Sequence, residues 1–472
     1  MNANHLAIVP ASNGPSLVVD ADLIRRYGGN GPRYTSYPTA DRFVEEFSSE
    51  AYQRWLGIRT IGGFARPLGL YVHVPFCDTL CFYCACNKIV TRDRSRAVKY
   101  VDGLKSEMAL VAAALTDRRI SSMHWGGGTP TFLDEEQAGR LMEAIRATFE
   151  LDPGGEFAIE IDPRRADAAR VRSLARLGFN RVSLGVQDFD PPVQEAVHRV
   201  QSVAETRAAI DAARANGFRS VNIDLIYGLP KQTLEGFART LASVLECDPD
   251  RIALYSYAHL PSAFKPQRRI LEADLPRPEV KLELLANAIR VLGDAGYTFI
   301  GMDHFAKPQD ELAVAQRQGR LTRDFQGYTS GGDSDLIGLG VSAIGRIGPT
   351  HAQNVKNLDD YYAALDAGRL PTWRGIQLTA DDLVRRAVIQ SLACHFSLSR
   401  ESIEIAYLID FDRYFETELR DLERLAADGL VEFDGDWIHV TPRGRLLVRA
   451  VCMVFDRHLR ATQERSRYSR VV

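Results

Sequence analysis

The sequence predicts an α/β fold: an open, partial barrel of about six βα units, with an N-terminal arm and a mainly helical, winged-helix-like C-terminal domain. Three observations predict it. Short β-rich segments alternate with amphipathic segments, the β-rich segments each have one apolar and one polar face, and the composition changes on both sides of this region. The first observation indicates a parallel sheet.

The six β-rich segments lie between residues 70 and 257 and read LYVHV, SMHWG, FAIEI, RVSLGV, VNIDLIY and RIALYSY. The segments between them predict helices over 97–115, 135–149, 166–177, 203–216 and 234–247. Strands that alternate with helices in this way form βα units, whose strands are parallel. Periodicity alone leaves both a barrel and a flat doubly wound sheet open.

The alternation within the strands favours the barrel. Glu160, Gln187 and Asp224 each lie on the face opposite the apolar residues of their strand, as do Tyr71 and His73. A sheet covered by helices on both faces would be apolar throughout. A barrel with helices outside and a polar ligand inside fits the pattern better, and an antiparallel sheet with one solvated face is disfavoured by the intervening helices.

The flanking segments set the expected domain boundaries. Residues 1–66 form an arm, in which GPRYTSYPTA is too rich in Pro, Ser and Thr for regular structure. Residues 67–305 form the barrel, 306–375 a Gly-rich barrel extension or linker, and 376–472 the helical domain. Within that domain a hairpin precedes a helix expected to begin at Thr441-Pro442, as in a winged-helix module.

Composition excludes several classes of function. A net charge of -3 gives no support to a role on nucleic acid or a membrane surface, and the winged-helix-like segment has no basic excess. The first twenty residues make a poor signal peptide, and no apolar run is long enough to span a bilayer. We therefore expect a cytoplasmic protein whose thiols stay reduced.

Four of the seven cysteines fall within ten residues, as Cys77, Cys81, Cys84 and Cys86 in a C-x3-C-x2-C-x-C pattern. Disulfides are disfavoured by the expected compartment and the tight spacing. A structural zinc site usually takes ligand pairs from two separated segments. An iron–sulfur cluster bound by one loop fits best, and three thiolates would leave one iron open. We expect the other cysteines to be core thiols.

A glycine turn, GGGTP at 126–130, follows the second strand at the same expected end of the barrel. The carboxyl end of a barrel's strands is where active sites lie. Glycine there would let the backbone approach a ligand. On its own the turn is a weak signal, and beside the cysteine loop it is a strong one.

Together these residues resemble the radical S-adenosylmethionine (radical SAM) superfamily. Ten colinear motifs, among them PRYTSYPTA, YVHVPFC, HWGGGTPTFL, IEIDPR, NIDLIYGLPKQT and FQGYT, resemble the oxygen-independent coproporphyrinogen III oxidases (dehydrogenases) within it. The resemblance covers the chain from about residue 30 onward. It implies a fold of the radical SAM type, a [4Fe-4S] cluster and two SAM molecules as cofactors.

The resemblance also implies site residues. The cluster ligands would be Cys77, Cys81 and Cys84, and Cys86 would be an extra cysteine of open role. The contacts to the SAM bound at the cluster would be Tyr71, Gly127, Glu160 and Ile344. The second SAM site would comprise Tyr83, Gly128, Thr129, Gln187, Arg199, Asp224 and Ala258. No further catalytic residue is implied.

The implied reaction is the anaerobic decarboxylation of two propionates of coproporphyrinogen III to vinyl groups by a 5′-deoxyadenosyl radical, giving protoporphyrinogen IX for haem biosynthesis. The implied partners are this substrate and a one-electron reductant protein of flavodoxin or ferredoxin type, with no nucleic acid or membrane, and the chain is expected to be a monomer. Basic residues should bind the substrate carboxylates; the candidates are Arg33, Lys88, Arg165 and Lys307.

Three other functions remain open: a haem-binding trafficking protein of the same superfamily, a haem-degrading radical SAM methyltransferase, and a purely structural role. The trafficking branch is shorter and lacks the PRYTSYPTA arm and the fourth cysteine, and this chain has both. A structural role would explain neither the glycine turn nor the polar barrel face.

Overall fold

The computed structural model describes residues 7–9, 17–59, 66–462 and 468–472. Much of the stretch that argues against a signal peptide, and part of the arm, therefore lie outside the described residues. The described part of the arm contains a short strand pair and two helices: β1 (Ala7–Val9), β2 (Leu17–Val19), α1 (Ala21–Tyr27) and α2 (Ser49–Gly57). As predicted for GPRYTSYPTA, residues 31–39 form neither helix nor strand, and only its last residue, Ala40, begins a short 3-10 helix (Ala40–Arg42).

The six predicted strands are all present, although β6 and β7 begin three and seven residues before their predicted starts at Ser122 and Phe157. The five predicted helices are also present, with ends within about two residues. This region comprises β3 (Leu68–Val74), β4 (Phe76–Cys77), β5 (Ile89–Val90), α3 (Ser95–Ala114), β6 (Arg119–Gly127), α4 (Glu135–Thr148), β7 (Glu150–Ile161), α5 (Ala168–Arg176), β8 (Arg181–Gln187), α6 (Pro191–Ala196), α7 (Val203–Ala215), β9 (Ser220–Tyr227), α8 (Leu234–Glu246) and β10 (Arg251–Ser256). Capping boxes fix the starts of α4 and α7, through Asp134 and Ser202.

The next region extends the barrel. It comprises α9 (Pro278–Asp294), β11 (Thr298–Gly301), β12 (His304–Ala306), α10 (Glu311–Arg317), β13 (Thr322–Asp324), β14 (Gly327–Thr329), β15 (Asp335–Leu339), β16 (Ile344–Ile347), β17 (Thr350–Asn354), α11 (Leu358–Asp366) and β18 (Thr372–Gln377). The expected domain boundary at residue 305 falls inside β12. Residues 306–375 contribute strands to the main sheet, so they continue the barrel rather than merely connect it.

The main sheet has twelve strands in the order β11-β12-β10-β9-β8-β7-β6-β3-β15-β16-β17-β18. The strands from β10 to β15 in this order are parallel, and both ends of the sheet are antiparallel. The register places Tyr71 of β3 beside His124 of β6 and Gly338 of β15. Apolar side chains between this sheet and the outer helices form the main core.

The C-terminal region is mainly helical, as predicted: α12 (Ala380–His395), β19 (Ser397–Ser399), α13 (Arg400–Tyr407), α14 (Phe411–Tyr414), α15 (Glu416–Ala427), β20 (Val431–Asp434), β21 (Trp437–Val440), α16 (Val448–Val454) and α17 (Arg457–Thr462). The predicted hairpin is β20–β21, to which β19 is added. The expected helix at Thr441-Pro442 is wrong, because the Gly444 amide donates to the Thr441 carbonyl in a turn and α16 begins at Val448.

The arm lies across the opening between the two ends of the main sheet. Val44 forms an antiparallel bridge with Gly375 of β18. Arg33 forms an ion pair with Asp303, between β11 and β12. Between these contacts, the buried Tyr34 and Tyr37 of the arm pack in the core of the C-terminal region. The arm therefore closes the side of the barrel.

Arg449 of α16 fastens the arm to the segment 468–472. Its side chain is buried, with 6% of the residue exposed. The guanidinium donates to the carbonyl oxygens of Gly31, Pro32, Ser469, Arg470 and Val471. Two backbone hydrogen bonds add to these, from Gly31 to Ser469 and from Val471 to Gly29. We call Arg449 with residues 29–32 and 469–471 the arm–tail clasp.

Within the described part of the chain, every helix is too short or too polar to cross a membrane.

Candidate active site

The cysteine loop follows β3 directly and covers the carboxyl end of the barrel. Cys77 ends β4, and Cys81, Cys84 and Cys86 follow before β5 pairs with β4. Cys81 is buried, Cys77 and Cys84 are half-buried, and Cys86 is exposed. Of the four thiols, the three expected ligands are thus the more enclosed.

Each expected ligand has a hydrogen-bond donor beside it. The Thr129 hydroxyl lies 3.5 Å from Cys77 Sγ, and Arg199 Nη1 lies 3.6 Å from Cys81 Sγ. Lys88 Nζ donates to the Cys84 carbonyl at 3.0 Å. Such donors favour thiolates and support bound metal centres.

The thiols of this loop fit an iron–sulfur cluster. Cys77, Cys81, Cys84 and Cys86 are all free cysteines on one loop, and thiolates are the usual ligands of such clusters. An iron–sulfur cluster takes its thiolates at different irons. The hydrogen bond from Cys86 lowers the pKa of Cys84 to about 6, whereas burial raises the pKa of Cys77 to about 11.

The glycine turn packs tightly against the start of this loop. Gly127 has φ +112°, and a Cβ there would lie 2.6 Å from the His73 ring. A Cβ on Gly128 would lie 2.6 Å from the Pro75 carbonyl oxygen. Both residues must therefore be glycine for β6 to pack against the end of β3, whatever they contact in a ligand.

Three of the four residues expected at the first SAM site form one connected group. Glu160 accepts a hydrogen bond from His124 Nε2 at 3.0 Å and one from the Gly127 amide at 3.3 Å. The Tyr71 ring stacks on His124, with centroids 5.9 Å apart. Burial is the largest influence on the pKa of Glu160 and raises it, but the hydrogen bonds from His124 and the Gly127 amide and the charges of His124 and His73 together outweigh burial, and the pKa is lowered. Glu160 is therefore an ionised acceptor.

The fourth residue expected at the first SAM site, Ile344, begins β16. β15 lies between Ile344 and the group formed by Tyr71, Gly127 and Glu160. Tyr71 pairs with Gly338 of β15, and a Cβ on Gly338 would lie 2.8 Å from the Ile344 backbone. The turn before Ile344 is held by the buried Glu107, which accepts hydrogen bonds from Gly340 at 2.7 Å and Tyr361 at 2.6 Å. Burial raises the pKa of Glu107 to about 7.

The residues expected at the second SAM site fall into two adjoining groups. The first group surrounds the cysteines and comprises Tyr83, Gly128, Thr129 and Arg199. Within it, Arg199 forms an ion pair with Asp162 at 3.4 Å. Asp224 accepts hydrogen bonds from Ser183 at 3.0 Å and Asn222 at 2.8 Å. Gly185 lies between the groups, since it pairs with Asp224 and contacts Gln187 and Arg199. Ala258 follows β10 in the loop above them.

The polar faces of the strands line a cavity of about 630 Å³ inside the barrel. Glu160, Asp224 and Tyr255 lie along it, and Arg181 and Arg251 lie at the amino ends of the strands. These arginines are paired, Arg181 with Glu311 and Arg251 with Asp310. The volume is in the range of small-molecule sites, and a polar interior is what the strand alternation predicted.

Asp224 carries an unfavourable charge inside the barrel. Burial, and then the nearby charge of Glu160, raise its pKa from 3.8 to about 6. The Asp224 carboxyl therefore stays protonated to a higher pH in the folded protein than in the unfolded chain. Between about pH 4 and pH 6 the free energy of unfolding consequently falls as the pH rises. A ligand with a cationic group near Asp224 would reverse this penalty.

We predict that Asp224→Asn stabilises the SAM-free protein, and more so at higher pH. Relative to wild type, the variant should gain about 1 kcal/mol between pH 5 and pH 7.5. Anaerobic urea unfolding at both pH values measures the gain. Asp211→Asn, on the exposed face of α7, removes the same charge and should show no such gain. A gain at Asp224 that does not change with pH would contradict the prediction.

The four basic candidates for substrate carboxylates differ in position. Lys307 pairs with Asp248 at 2.7 Å, before the amino end of β10 and so away from the cysteine loop. Lys88 binds carbonyls of the cysteine loop, and Arg165 lies 3.6 Å from Asp78. Arg33 alone of the four contacts a cavity residue, with its guanidinium 5.3 Å from the Tyr255 ring centroid.

Sequence reasoning missed His124, which joins Tyr71 to Glu160. The sequence does contain a signal for His124. It alternates with the apolar Met123 and Trp125 along its strand, which places His124 alone of the three on the inward face. Glu107 and Arg449 were also missed. Both are charged residues within helical patterns, where a solvated position is the ordinary expectation.

The comparisons with known proteins agree with this geometry. Residues 71–244 match the family model described as the Radical SAM superfamily, and residues 378–447 match the HemN C-terminal domain. A solved structure, described as coproporphyrinogen III oxidase (HemN) from Escherichia coli, a radical SAM enzyme, superposes with a TM-score of 0.89 at 48% identity. It covers 94% of this chain and 100% of that one. The fold and the cysteine loop are thus those of a radical SAM protein.

Two relatives named oxygen-independent coproporphyrinogen III oxidase define the family. The protein from Pseudomonas aeruginosa is 52% identical over 96% of this chain and 98% of its own length. The protein from Escherichia coli is 50% identical, with the same coverage. The chain belongs to the oxygen-independent coproporphyrinogen III oxidase family.

Proposed function

We propose that this protein is an oxidoreductase that converts coproporphyrinogen III into protoporphyrinogen IX without oxygen, in porphyrin and haem biosynthesis. Each of two propionate side chains would lose CO2, a proton and two electrons and become a vinyl group. The observation that carries the proposal is a cysteine loop set at the end of a polar barrel cavity, in a chain of this family. The haem-trafficking alternative is not favoured, since the full-length relatives are named as oxidases.

The cofactors follow from the family: a [4Fe-4S] cluster and SAM, which when bound supply the one-electron reduction and the hydrogen-atom abstraction. Cys77, Cys81 and Cys84 would hold the cluster. The second SAM molecule is part of the proposal, supported by the Asp224 carboxylate, to which Ser183 and Asn222 donate, and by the charge of Arg199.

The residues of the chain bind and orient. The ionised Glu160 would accept hydrogen bonds from the donors of the SAM at the cluster, with His124 and the Gly127 amide holding the carboxylate in place. His73 fixes Tyr71: its Nε2 donates to the Asn87 carbonyl at 2.9 Å, which leaves Nδ1 to accept from the Tyr71 hydroxyl. Gln187 and Asp224, on the next two strands β8 and β9, would bind the second SAM.

The barrel and the arm would keep water from the reacting carbon. Helices cover the outside of the strands, and the arm closes the side of the barrel through its contacts at Asp303 and Gly375. Excluding water protects reactive intermediates from side reactions. We propose that Arg33 on this arm binds a substrate carboxylate, because it faces the Tyr255 wall of the cavity. We also propose that the protein acts as a monomer and receives its electrons from a one-electron reductant protein.

Anaerobic turnover tests the function. Reconstituted protein is incubated with coproporphyrinogen III, SAM and dithionite, and 5′-deoxyadenosine and oxidised protoporphyrin are quantified in the same tubes. We expect both products, with protoporphyrin absent when SAM is omitted.

Two results would count against the function. Deoxyadenosine without protoporphyrin would mean that the radical chemistry is right and the substrate is wrong. Neither product from a protein with a full iron and sulfide content, together with tight haem binding, would support a haem carrier.

A further inference from the structure

A small exposed surface lies on the outer side of the cysteine loop. The Phe82 ring stacks on His198, with centroids 5.0 Å apart and planes 11° apart. The Arg269 guanidinium lies 5.1 Å from the Phe82 ring centroid. Val200 and Leu271, each two residues from one of these, are 63% and 66% exposed. We call these five residues, with Lys265 and Arg268, the loop face.

The loop face is joined directly to the residues that carry the cysteines. His198 Nδ1 donates to the Leu80 carbonyl at 2.8 Å, and the Phe82 amide donates to the Val197 carbonyl at 3.0 Å. The buried Gln267 donates to the Tyr83 carbonyl at 3.0 Å. Each contact ends on a residue next to Cys81 or Cys84. A molecule bound to the loop face would therefore be separated from the cluster only by the loop itself.

The loop face is also positively charged in an acidic protein. Segments 76–92, 191–201 and 261–277 together carry seven Lys and Arg and four Asp and Glu, whereas the whole chain has a net charge of -3. Lys265, Arg268 and Arg269 are all exposed. Exposed apolar side chains ringed by one sign of charge are typical of a site for a protein of the opposite charge.

We propose that the loop face is the docking site of an acidic one-electron carrier protein. The inference rests on the proposed function, which requires electrons to reach the cysteine loop from outside. In each transfer the reduced carrier loses one electron and the cluster gains it, and no bond is made or broken. The apolar pair Val200 and Leu271 anchors the carrier, and the basic residues steer it.

Charge reversal separates docking from chemistry. Lys265→Glu/Arg268→Glu reverses two exposed charges on the loop face, and Arg172→Glu/Arg219→Glu reverses two exposed charges elsewhere, with the same change in net charge. Each cluster-loaded protein is titrated with an oxidised acidic flavodoxin, and binding is followed by the flavin fluorescence. Turnover is then measured with the reduced flavodoxin and, separately, with dithionite.

We expect the loop-face variant to bind the flavodoxin at least 10-fold more weakly at low salt, and added salt should shrink this difference. Its flavodoxin-driven turnover should fall by a similar factor while dithionite-driven turnover stays that of wild type. Equal binding by the two variants, or an equal loss with both reductants, would overturn the docking site. Absence of dithionite-driven turnover in the wild type would instead overturn the proposed function.

Discussion

Cys81→Ala is expected to remove the iron–sulfur cluster and, with it, all turnover. Cys81 is buried, and Arg199 Nη1 lies 3.6 Å from its sulfur. Losing a residue that only supports a metal ligand costs about 10–100-fold, so losing a ligand should cost more, on the order of 1,000-fold. Iron and sulfide content after reconstitution, with the visible absorbance of the cluster, measures the first effect, and 5′-deoxyadenosine formation measures the second.

Cys86→Ala is the matched control, five residues along the same loop. Cys86 is exposed and its thiol donates to Cys84, so its loss should leave the iron and sulfide content close to wild type. If Cys86→Ala loses as much iron as Cys81→Ala, the assignment of the three ligands is wrong.

Arg449→Ala should have the second large effect, by opening the arm–tail clasp. The substitution removes a buried guanidinium that donates to five carbonyl oxygens. Leaving several buried acceptors unpaired costs about 3 kcal/mol or more. Burial lowers the pKa of Arg449 to about 9, so the group is still charged at neutral pH. We expect a lower thermal midpoint, faster proteolysis of the arm and at least a 10-fold loss of turnover.

Arg443→Ala is the control. It tests whether the loss of any contact between the arm and the C-terminal region lowers stability and turnover as the loss of Arg449 should. Arg443 pairs with Asp20 at 2.6 Å, and its side chain is 45% exposed. Exposed ion pairs contribute about 0–1 kcal/mol, so this variant should resemble wild type. If Arg443→Ala and Arg449→Ala lose similar amounts of stability and turnover, the buried arm–tail clasp has no special part in holding the arm, and the prediction is wrong.

The sheet and the centre of the site could be predicted because their signals are local. Alternation along single strands placed Glu160, Gln187 and Asp224 on inward faces, and parallel strands then bring inward residues together. The cysteine spacing and the glycine turn are each contained in one short stretch. These signals need no knowledge of which distant segments meet.

The rest depends on contacts between distant segments, which no local pattern encodes. Nothing near Arg449 in the sequence indicates that residues 31 and 469 will lie beside it, and nothing near Glu107 points to Tyr361. The strands of residues 322–377 are short and Gly-rich, so they show little periodicity on their own. The start of α16 was misplaced because Thr441-Pro442 suits a helix start and a turn equally well.

The arm–tail clasp also has a consequence for the order of events during synthesis. Residues 29–31 make these contacts with residues 469–471, more than 400 positions later, whereas the last strand of the main sheet ends at Gln377. At roughly 5–20 residues per second, the ribosome needs about 5–20 s to synthesise the residues between Gln377 and the clasp. Through that interval the arm is not yet held by the clasp, so the side of the barrel that the arm covers stays open until the last residues of the chain are made.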